Sequence, residues 1–201
     1  TPIVNGQFVF VSSIKVIDQS SGKGDLLAFC FNRKSGELLW MKNAGSGYRP
    51  GEDDGFDYQL DSRSNYATPS PVTDGERVIF FFGNGDLISY LMDGSEEWRR
   101  NIQKDYGDFC FQWTFSSSPT LFGGKLYLPV LQRDQQAHGR GDASAQSYLL
   151  CMNPKNGKTD WKHSRPSIAK MESLLLLQYT VLQTCITRVH DIQYVCIIYM
   201  Y

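Results

Sequence analysis

SGELLW at residues 35–40 returns in altered form as DGSEEW at residues 93–98 and as NGKTDW at residues 156–161. In each copy a glycine precedes a tryptophan by four residues, and three of the 4 tryptophans of the chain lie in this frame. A motif that returns at intervals of several tens of residues indicates a repeat architecture. The pattern therefore predicts repeated structural units.

A second landmark, a proline four residues ahead of a glycine, precedes each of these frames. It stands as PIVNG at residues 2–6, PVTDG at residues 71–75 and PTLFG at residues 119–123. Each copy is followed by a β-rich run, a second apolar run, a polar turn and a short strand that carries the tryptophan. Four strands joined by hairpin turns are typical of a propeller blade.

This order predicts an all-β fold, namely a partial β-propeller of about three four-stranded antiparallel blades. The blades are expected over roughly residues 1–43, 66–101 and 115–164. A large aromatic on the last strand of a blade can cover the neighbouring sheet, and burying a tryptophan removes on the order of 200 Å² from water. The turn glycine lacks a Cβ and so permits a close aromatic approach. We expect these residues to be structural.

Over about residues 1–172 the motifs resemble the PQQ-like (pyrroloquinoline-quinone-type) β-propeller repeat of bacterial proteins. In that family a blade ends in a tryptophan-docking motif: a small residue, an Asp or Asn two later, a turn ending in Gly, and Trp four beyond. The matching positions are Cys30, Asn32, Gly36 and Trp40; Leu91, Asp93, Gly94 and Trp98; and Cys151, Asn153, Gly157 and Trp161. The second set has a shorter turn and a bulky leucine at the small position.

The resemblance implies that each indole packs against the glycine turn of the adjacent blade. It also implies a ring of seven or eight blades, so that the remaining blades of the same propeller are expected to accompany these three. The family further implies a periplasmic or otherwise extracytoplasmic location. No leader segment is evident in the opening residues TPIVNGQFVF.

Two functions are compatible with this resemblance. The leading interpretation is a non-catalytic binding or scaffold module, similar to outer-membrane protein assembly propellers, with a protein or peptide partner and no cofactor. The alternative is a fragment of a quinoprotein alcohol or sugar dehydrogenase that uses PQQ and Ca²⁺. The family's enzymes are expected to carry adjacent cysteines at the quinone, whereas no two of the 5 cysteines here are adjacent. The leading interpretation predicts no catalytic residue and no metal ligand.

Composition excludes several other classes. The chain has 20 basic and 21 acidic side chains with no basic stripe, so that no nucleic-acid partner is expected. No run reaches the roughly 18 apolar residues of a membrane-spanning helix. The cysteines form no C-x-x-C pair, and the 3 histidines show no metal-ligand spacing.

Three long connections are weaker candidates for binding. An acidic loop at residues 47–61 could hold Ca²⁺, although a solvated loop is the favoured interpretation. An aromatic stretch at residues 104–115 could line a cleft or cover the core. A charged loop at residues 133–142 could bind an acidic group, but we favour a solvated loop there too.

The last residues, 174–201, contain neither glycine nor proline, although a further blade would need turn residues every 8–12 positions. We therefore predict that residues 173–201 form an atypical tail that is not native propeller sequence. A frameshift, a retained intron or a truncated gene model would produce such a tail; an added helical or β-rich segment is the alternative.

Overall fold

The structure, a computed structural model, describes residues 1–48, 65–109, 116–131 and 146–165. The chain divides into two compact units, Thr1–Ser167 and Ile168–Tyr201. All described residues belong to the first unit. The predicted tail, residues 173–201, lies outside the described residues.

The described residues form three four-stranded antiparallel sheets, and in each sheet the strands are neighbours in chain order. Blade 1 consists of β1 (Ile3–Asn5), β2 (Phe8–Asp18), β3 (Lys23–Asn32) and β4 (Leu38–Ser46). Blade 2 consists of β5 (Val72–Thr73), β6 (Arg77–Phe81), β7 (Asp86–Leu91) and β8 (Glu96–Asn101). Blade 3 consists of β9 (Thr120–Phe122), β10 (Lys125–Val130), β11 (Ser147–Met152) and β12 (Thr159–Arg165). The predicted all-β fold of three four-stranded blades is confirmed.

The turns between strands use the residues that the sequence offers for them. In the β5–β6 turn the Asp74 carboxylate accepts hydrogen bonds from the backbone N–H groups of Glu76 (3.0 Å) and Arg77 (2.9 Å). Gly75 follows Asp74 with φ of +91°, a conformation that glycine adopts without a steric penalty. These hydrogen bonds lie within the β5–β6 hairpin and stabilise its turn locally.

One short helix, α1 (Ile102–Tyr106), follows blade 2. Asn101 caps its start, because the Asn101 side chain accepts a hydrogen bond from the Lys104 N–H at 3.0 Å. Ile102 is fully buried. The helix thus fastens the end of β8 onto the core.

Two aromatic-rich cores lie on opposite faces of blade 2. Alternation along β6 sends Val78 and Phe80 into the core shared with blade 1, and Ile79 and Phe81 into the core shared with blade 3. All four side chains are at most 1% exposed. A continuous apolar strand is therefore required here, since both faces of blade 2 are covered.

Candidate functional site: the joints between blades

The joint between blades 1 and 2 is built around Trp40. Its Nε1–H donates to the Met92 carbonyl at 3.0 Å, and its ring lies 5.8 Å from the Tyr90 ring between centroids. The indole lies on Gly94, where a Cβ would stand 2.9 Å from Trp40 Cγ. Such a distance is a clash, and Gly94 also has φ of +83°. The close approach of the indole therefore requires glycine at position 94.

The joint between blades 2 and 3 repeats this geometry with Trp98. Its Nε1–H donates to the Pro154 carbonyl at 2.8 Å. A Cβ on Gly157 would stand 2.6 Å from Trp98 Cε3, closer than at Gly94. The structure thus brings two of the three predicted tryptophans onto the predicted glycines of the next blade.

The small residue beside each tryptophan is found from the strand pairing. Cys30 is the cross-strand partner of Trp40, and Cys151 is that of Trp161. In blade 2 the partner of Trp98 is Ser89, which is fully buried, and not Leu91.

Leu91 had been expected at the small position because it stands two residues before the aspartate of the motif. The β7–β8 turn is tighter than the other two, with Leu91 N–H donating to the Ser95 carbonyl at 2.9 Å. The shorter turn moves the β7–β8 pairing toward the start of β7, so that Ser89 lies opposite Trp98 and Leu91 lies beyond the last pair, Tyr90 with Glu96.

Sequence reasoning missed Ser89. Cys30 and Cys151 each precede their tryptophan by ten residues, and the same count back from Trp98 ends at Ile88. The spacing of the motif therefore carries no signal that points to Ser89.

Cations beside the tryptophans hold the same two joints from both sides. Arg99 reaches back to blade 1 and donates to the Ala44 carbonyl. Arg100 reaches forward to blade 3, where it donates to the Gly157 carbonyl and to Thr159 Oγ1, the latter at 2.9 Å. Lys162 of blade 3 reaches back to α1, with its Nζ 5.0 Å from the centre of the Tyr106 ring, and also lies 4.6 Å from that of Tyr148 in its own blade. Such contacts add charge-assisted bonds and cation–π attraction to the apolar packing.

A polar cluster surrounds Asp86 near the opposite end of the first joint. The Asp86 carboxylate accepts hydrogen bonds from the side-chain amides of Asn84 and Asn101, both at 2.8 Å. Gln103 donates to the Asn84 carbonyl at 2.8 Å. A Cβ on Gly45 of blade 1 would stand 2.8 Å from Asp86 Oδ2. The Asp86 carboxylate therefore accepts hydrogen bonds from two asparagine side chains and packs against the backbone of blade 1.

Arg77 is a buried cation within blade 2, with 5% of its surface exposed. It pairs with Asp74 and Glu97, each at 2.8 Å. Burial by itself raises the pKa of Asp74, but hydrogen bonds from the Arg77 and Glu76 N–H groups, together with the charge of Arg77, outweigh it and lower that pKa. This ion cluster ties β6 to β8.

The described cysteines are buried thiols. Both Cys30 and Cys151 are free. Burial raises the pKa of Cys30 to about 11, and burial likewise raises the pKa of Cys151. Because the thiolate is the reactive form, both side chains are inert near neutral pH.

The outer faces of blades 1 and 3 hold the remaining members of the motif. Gly36 has φ of +71°, and no described atom lies within 4 Å of the place that a Cβ would take. Trp161 exposes 45% of its surface and lies beside Tyr127, with ring centroids 6.2 Å apart. Among the described residues, neither Gly36 nor Trp161 takes part in a joint between two blades.

Other candidate sites fall wholly or partly outside the described residues. These are most of the acidic loop at residues 47–61, the second half of the aromatic stretch at residues 104–115, and the charged loop at residues 133–142. Within the described ranges, no three His, Cys, Asp or Glu side chains are grouped in a way that would hold a metal ion. No helix in the same ranges is long and apolar enough to cross a membrane.

Three stacked four-stranded blades joined in this way define a partial β-propeller. The sequence matches no protein-family model and no curated protein. Among solved structures, the fold is similar to a europium-containing methanol dehydrogenase, with a TM-score of 0.52 and 11% identity over 81% of this chain and 24% of that one. It is also similar to a quinohemoprotein alcohol dehydrogenase from Pseudomonas putida HK5, with a TM-score of 0.50 and 14% identity over 82% of this chain and 20% of that one.

A third similar structure is BamB from Moraxella catarrhalis, with 14% identity over 83% of this chain and 52% of that one. Its TM-score of 0.36 is too low to carry an inference. The three blades and the likeness to the two dehydrogenases show that the chain has the fold of PQQ-like β-propeller proteins. It spans about a fifth to a quarter of the length of the dehydrogenases that it matches.

Proposed function

We propose that this chain is a non-catalytic part of a PQQ-like β-propeller that acts as a protein-binding or scaffold module in an extracytoplasmic compartment. The observation that supports it most is the use of charge at the joints. Arg99 and Arg100 donate to backbone carbonyls of the neighbouring blades, and Arg77 is enclosed by carboxylates. Arg99 and Arg100 thus hold neighbouring sheets together, and Arg77 ties two strands of one sheet. All three cations are used in structural contacts, which supports a non-catalytic role.

The outer edge of blade 1 supports a role in protein binding. Strand β4 lies at the end of its sheet. It exposes three apolar side chains, Leu38 (47%), Leu39 (42%) and Met41 (53%). An edge strand with apolar side chains can pair with an extended peptide by strand addition. The partner on this proposal is an extended segment with alternating apolar residues.

The absence of a bound cofactor is tested with the full chain, PQQ and Ca²⁺. Titration calorimetry is expected to show no saturable binding of PQQ with Ca²⁺ present, and dye-linked oxidation of methanol or glucose is expected to stay at the blank rate. Saturable PQQ binding with one site per chain, or oxidation above the blank, would contradict the non-catalytic proposal and favour the dehydrogenase fragment.

Protein binding is tested with a phage-displayed library of 12-residue peptides selected on the full chain. Selected peptides are expected to alternate apolar and polar residues and to bind at least about tenfold more weakly to Leu39→Lys, because a lysine on an edge strand opposes strand addition. Val16→Lys is the matched control, since Val16 is 44% exposed on β2. Equal loss in both variants, or no selected peptide, would refute strand addition at β4.

A further inference from the structure

Three Asn-Gly pairs lie within the described part of the chain, at residues 5–6, 84–85 and 156–157. Asparagine is a thermolabile residue, and a following glycine has no side chain to hinder attack by its backbone nitrogen. In deamidation that nitrogen bonds to the side-chain Cγ of the asparagine, the Cγ–Nδ2 bond breaks, and the NH2 group leaves as ammonia with the proton of the glycine N–H. Water then opens the cyclic imide to aspartate or isoaspartate. The site of reaction is therefore decided by access to the glycine nitrogen.

The Asn156–Gly157 pair is enclosed by the joint between blades 2 and 3. Gly157 is buried, and its N–H donates to the Asn153 carbonyl at 2.9 Å. The Trp98 indole covers it, since a Cβ on Gly157 would stand 2.6 Å from Trp98 Cε3. The attacking nitrogen is bonded and shielded as long as the joint is intact.

The Asn84–Gly85 pair is enclosed beside α1. Gly85 is buried, its N–H donates to the Phe82 carbonyl at 2.9 Å, and a Cβ on it would stand 3.1 Å from Gln103 Cγ. The Asn84 amide is held at both ends by Asp86: its Nδ2 donates to Asp86 Oδ2 at 2.8 Å, and its Oδ1 accepts from the Asp86 N–H at 3.1 Å. Both the attacking nitrogen and the leaving amide are thus fixed.

The Asn5–Gly6 pair is open. Asn5 pairs with Phe8, so that Gly6 lies in a two-residue turn between β1 and β2. Gly6 is exposed, and no described atom lies within 4 Å of the place that a Cβ would take. No described backbone carbonyl accepts its N–H. Here the attacking nitrogen is accessible in the folded chain.

The exposure of Gly6 belongs to this type of turn. The equivalent glycines of blades 2 and 3, Gly75 and Gly123, are exposed although a blade precedes each of them. A Cβ on Gly75 would meet only Asn5 Nδ2, at 3.6 Å, and a Cβ on Gly123 would meet no described atom. A blade placed before blade 1 in the same way would therefore leave the Gly6 turn open.

The surroundings of Asn5 make a new charge there unfavourable. Its Nδ2 lies against Gly75 of blade 2, and Asp74 and Glu76 flank that glycine. Arg77 is already shared between these two carboxylates. A carboxylate at position 5, ionised above about pH 4, would add negative charge beside an acidic turn.

We propose that Asn5 is the deamidation site of the folded chain, and that the carboxylate formed there weakens the contact between blades 1 and 2. The site follows from the open nitrogen of Gly6, and the effect follows from the acidic β5–β6 turn. The inference goes beyond the proposed function and does not depend on it.

The site is tested by incubating the full chain in mildly alkaline buffer and following each Asn-Gly pair by peptide mapping with mass spectrometry. Asn5 should be converted at least about tenfold faster than Asn84 or Asn156, because a buried and bonded nitrogen reacts only through local opening. The same incubation in concentrated urea is the control, and there the three rates should become comparable. Conversion of Asn84 or Asn156 as fast as that of Asn5 in buffer, or an Asn5 that reacts only in urea, would overturn the assignment.

The effect is tested with two variants of the same position. Asn5→Asp carries the charge of the aspartate product, and Asn5→Ser is the neutral control. At low salt the urea midpoint of Asn5→Asp should lie below that of Asn5→Ser, and the gap should narrow in 1 M salt, where the screening length falls to about 3 Å. Equal midpoints at low salt would overturn the proposed weakening. Neither experiment bears on PQQ or peptide binding, so that failure here and failure of the proposed function are distinguishable.

Discussion

At the scale of single residues, the same pairing of tryptophan and glycine is used twice. Gly94 and Gly157 are the positions where a Cβ would collide with an indole from the preceding blade, while Gly36 has open space at the same place. The indole N–H finds a backbone carbonyl in both joints. A buried indole that keeps its hydrogen bond adds apolar area without an unsatisfied donor.

Cys30 should be unreactive in the folded chain. Its pKa of about 11 and its full burial leave almost no accessible thiolate at pH 8. Iodoacetamide at pH 8, followed by peptide mapping, is expected to leave Cys30 unmodified in buffer and to modify it fully in denaturant. Rapid modification of Cys30 in the folded chain would show that the small position beside Trp40 is open.

The regular spacing of the motif was sufficient to single out Trp40 with Gly94 and Trp98 with Gly157, which the structure brings together. The docking role predicted for Gly36 and Trp161 stays a prediction.

The spacing was not sufficient to predict Ser89 as the partner of Trp98. The shorter β7–β8 turn shifts the strand pairing, whereas the four-residue spacing from Gly94 to Trp98 is unchanged. Arg99 and Arg100 were also missed. Their partners are backbone carbonyls of other blades, and backbone acceptors leave no pattern in a sequence.

At the scale of elements, the two central strands of blade 2, β6 and β7, contribute side chains to both cores, one shared with blade 1 and one with blade 3. Strand β6 is buried on both faces, and Arg77 at its start is neutralised by carboxylates before and after it in the chain. The strand order, the number of blades and the turn residues of β5–β6 all follow from sequence patterns. The pairing of Arg77 with Glu97 does not, because it depends on the β7–β8 bulge between Ser89 and Tyr90.

Asp74 should make the chain sensitive to acid. In the folded chain its pKa lies below the ordinary value of an aspartate. Stability from this lowered pKa is therefore present above the unfolded value and is lost as pH falls through the folded value. Urea unfolding at pH 7 and pH 3 should show that Asp74→Asn lowers stability at pH 7, by about 1 kcal/mol, and by less at pH 3. An equal loss at both values would contradict the paired state of Asp74.

At the scale of the whole described unit, stability depends on blades that cover each other. Blade 2 is covered on both faces, whereas blades 1 and 3 each have one covered face and one open face. The open faces carry unused members of the same motif, Gly36 and Trp161. Gly36 and Trp161 therefore repeat the groups of the two joints without contributing to either of them in the described part of the chain.

The central claim is that tryptophan–glycine joints hold the blades together, and a matched pair of glycine substitutions tests it most directly. Both Gly157→Ala and Gly36→Ala place a side chain at positive φ, which costs roughly 1 kcal/mol. Only Gly157→Ala also drives a Cβ into an indole, which adds about 1–3 kcal/mol.

The free energy of unfolding is measured for both variants and for the unsubstituted chain by urea denaturation. The account predicts that Gly157→Ala loses about 2–4 kcal/mol and that Gly36→Ala loses about 1 kcal/mol. Equal losses for the two variants would contradict it, because they would show that Trp98 does not rest on Gly157 in the folded chain.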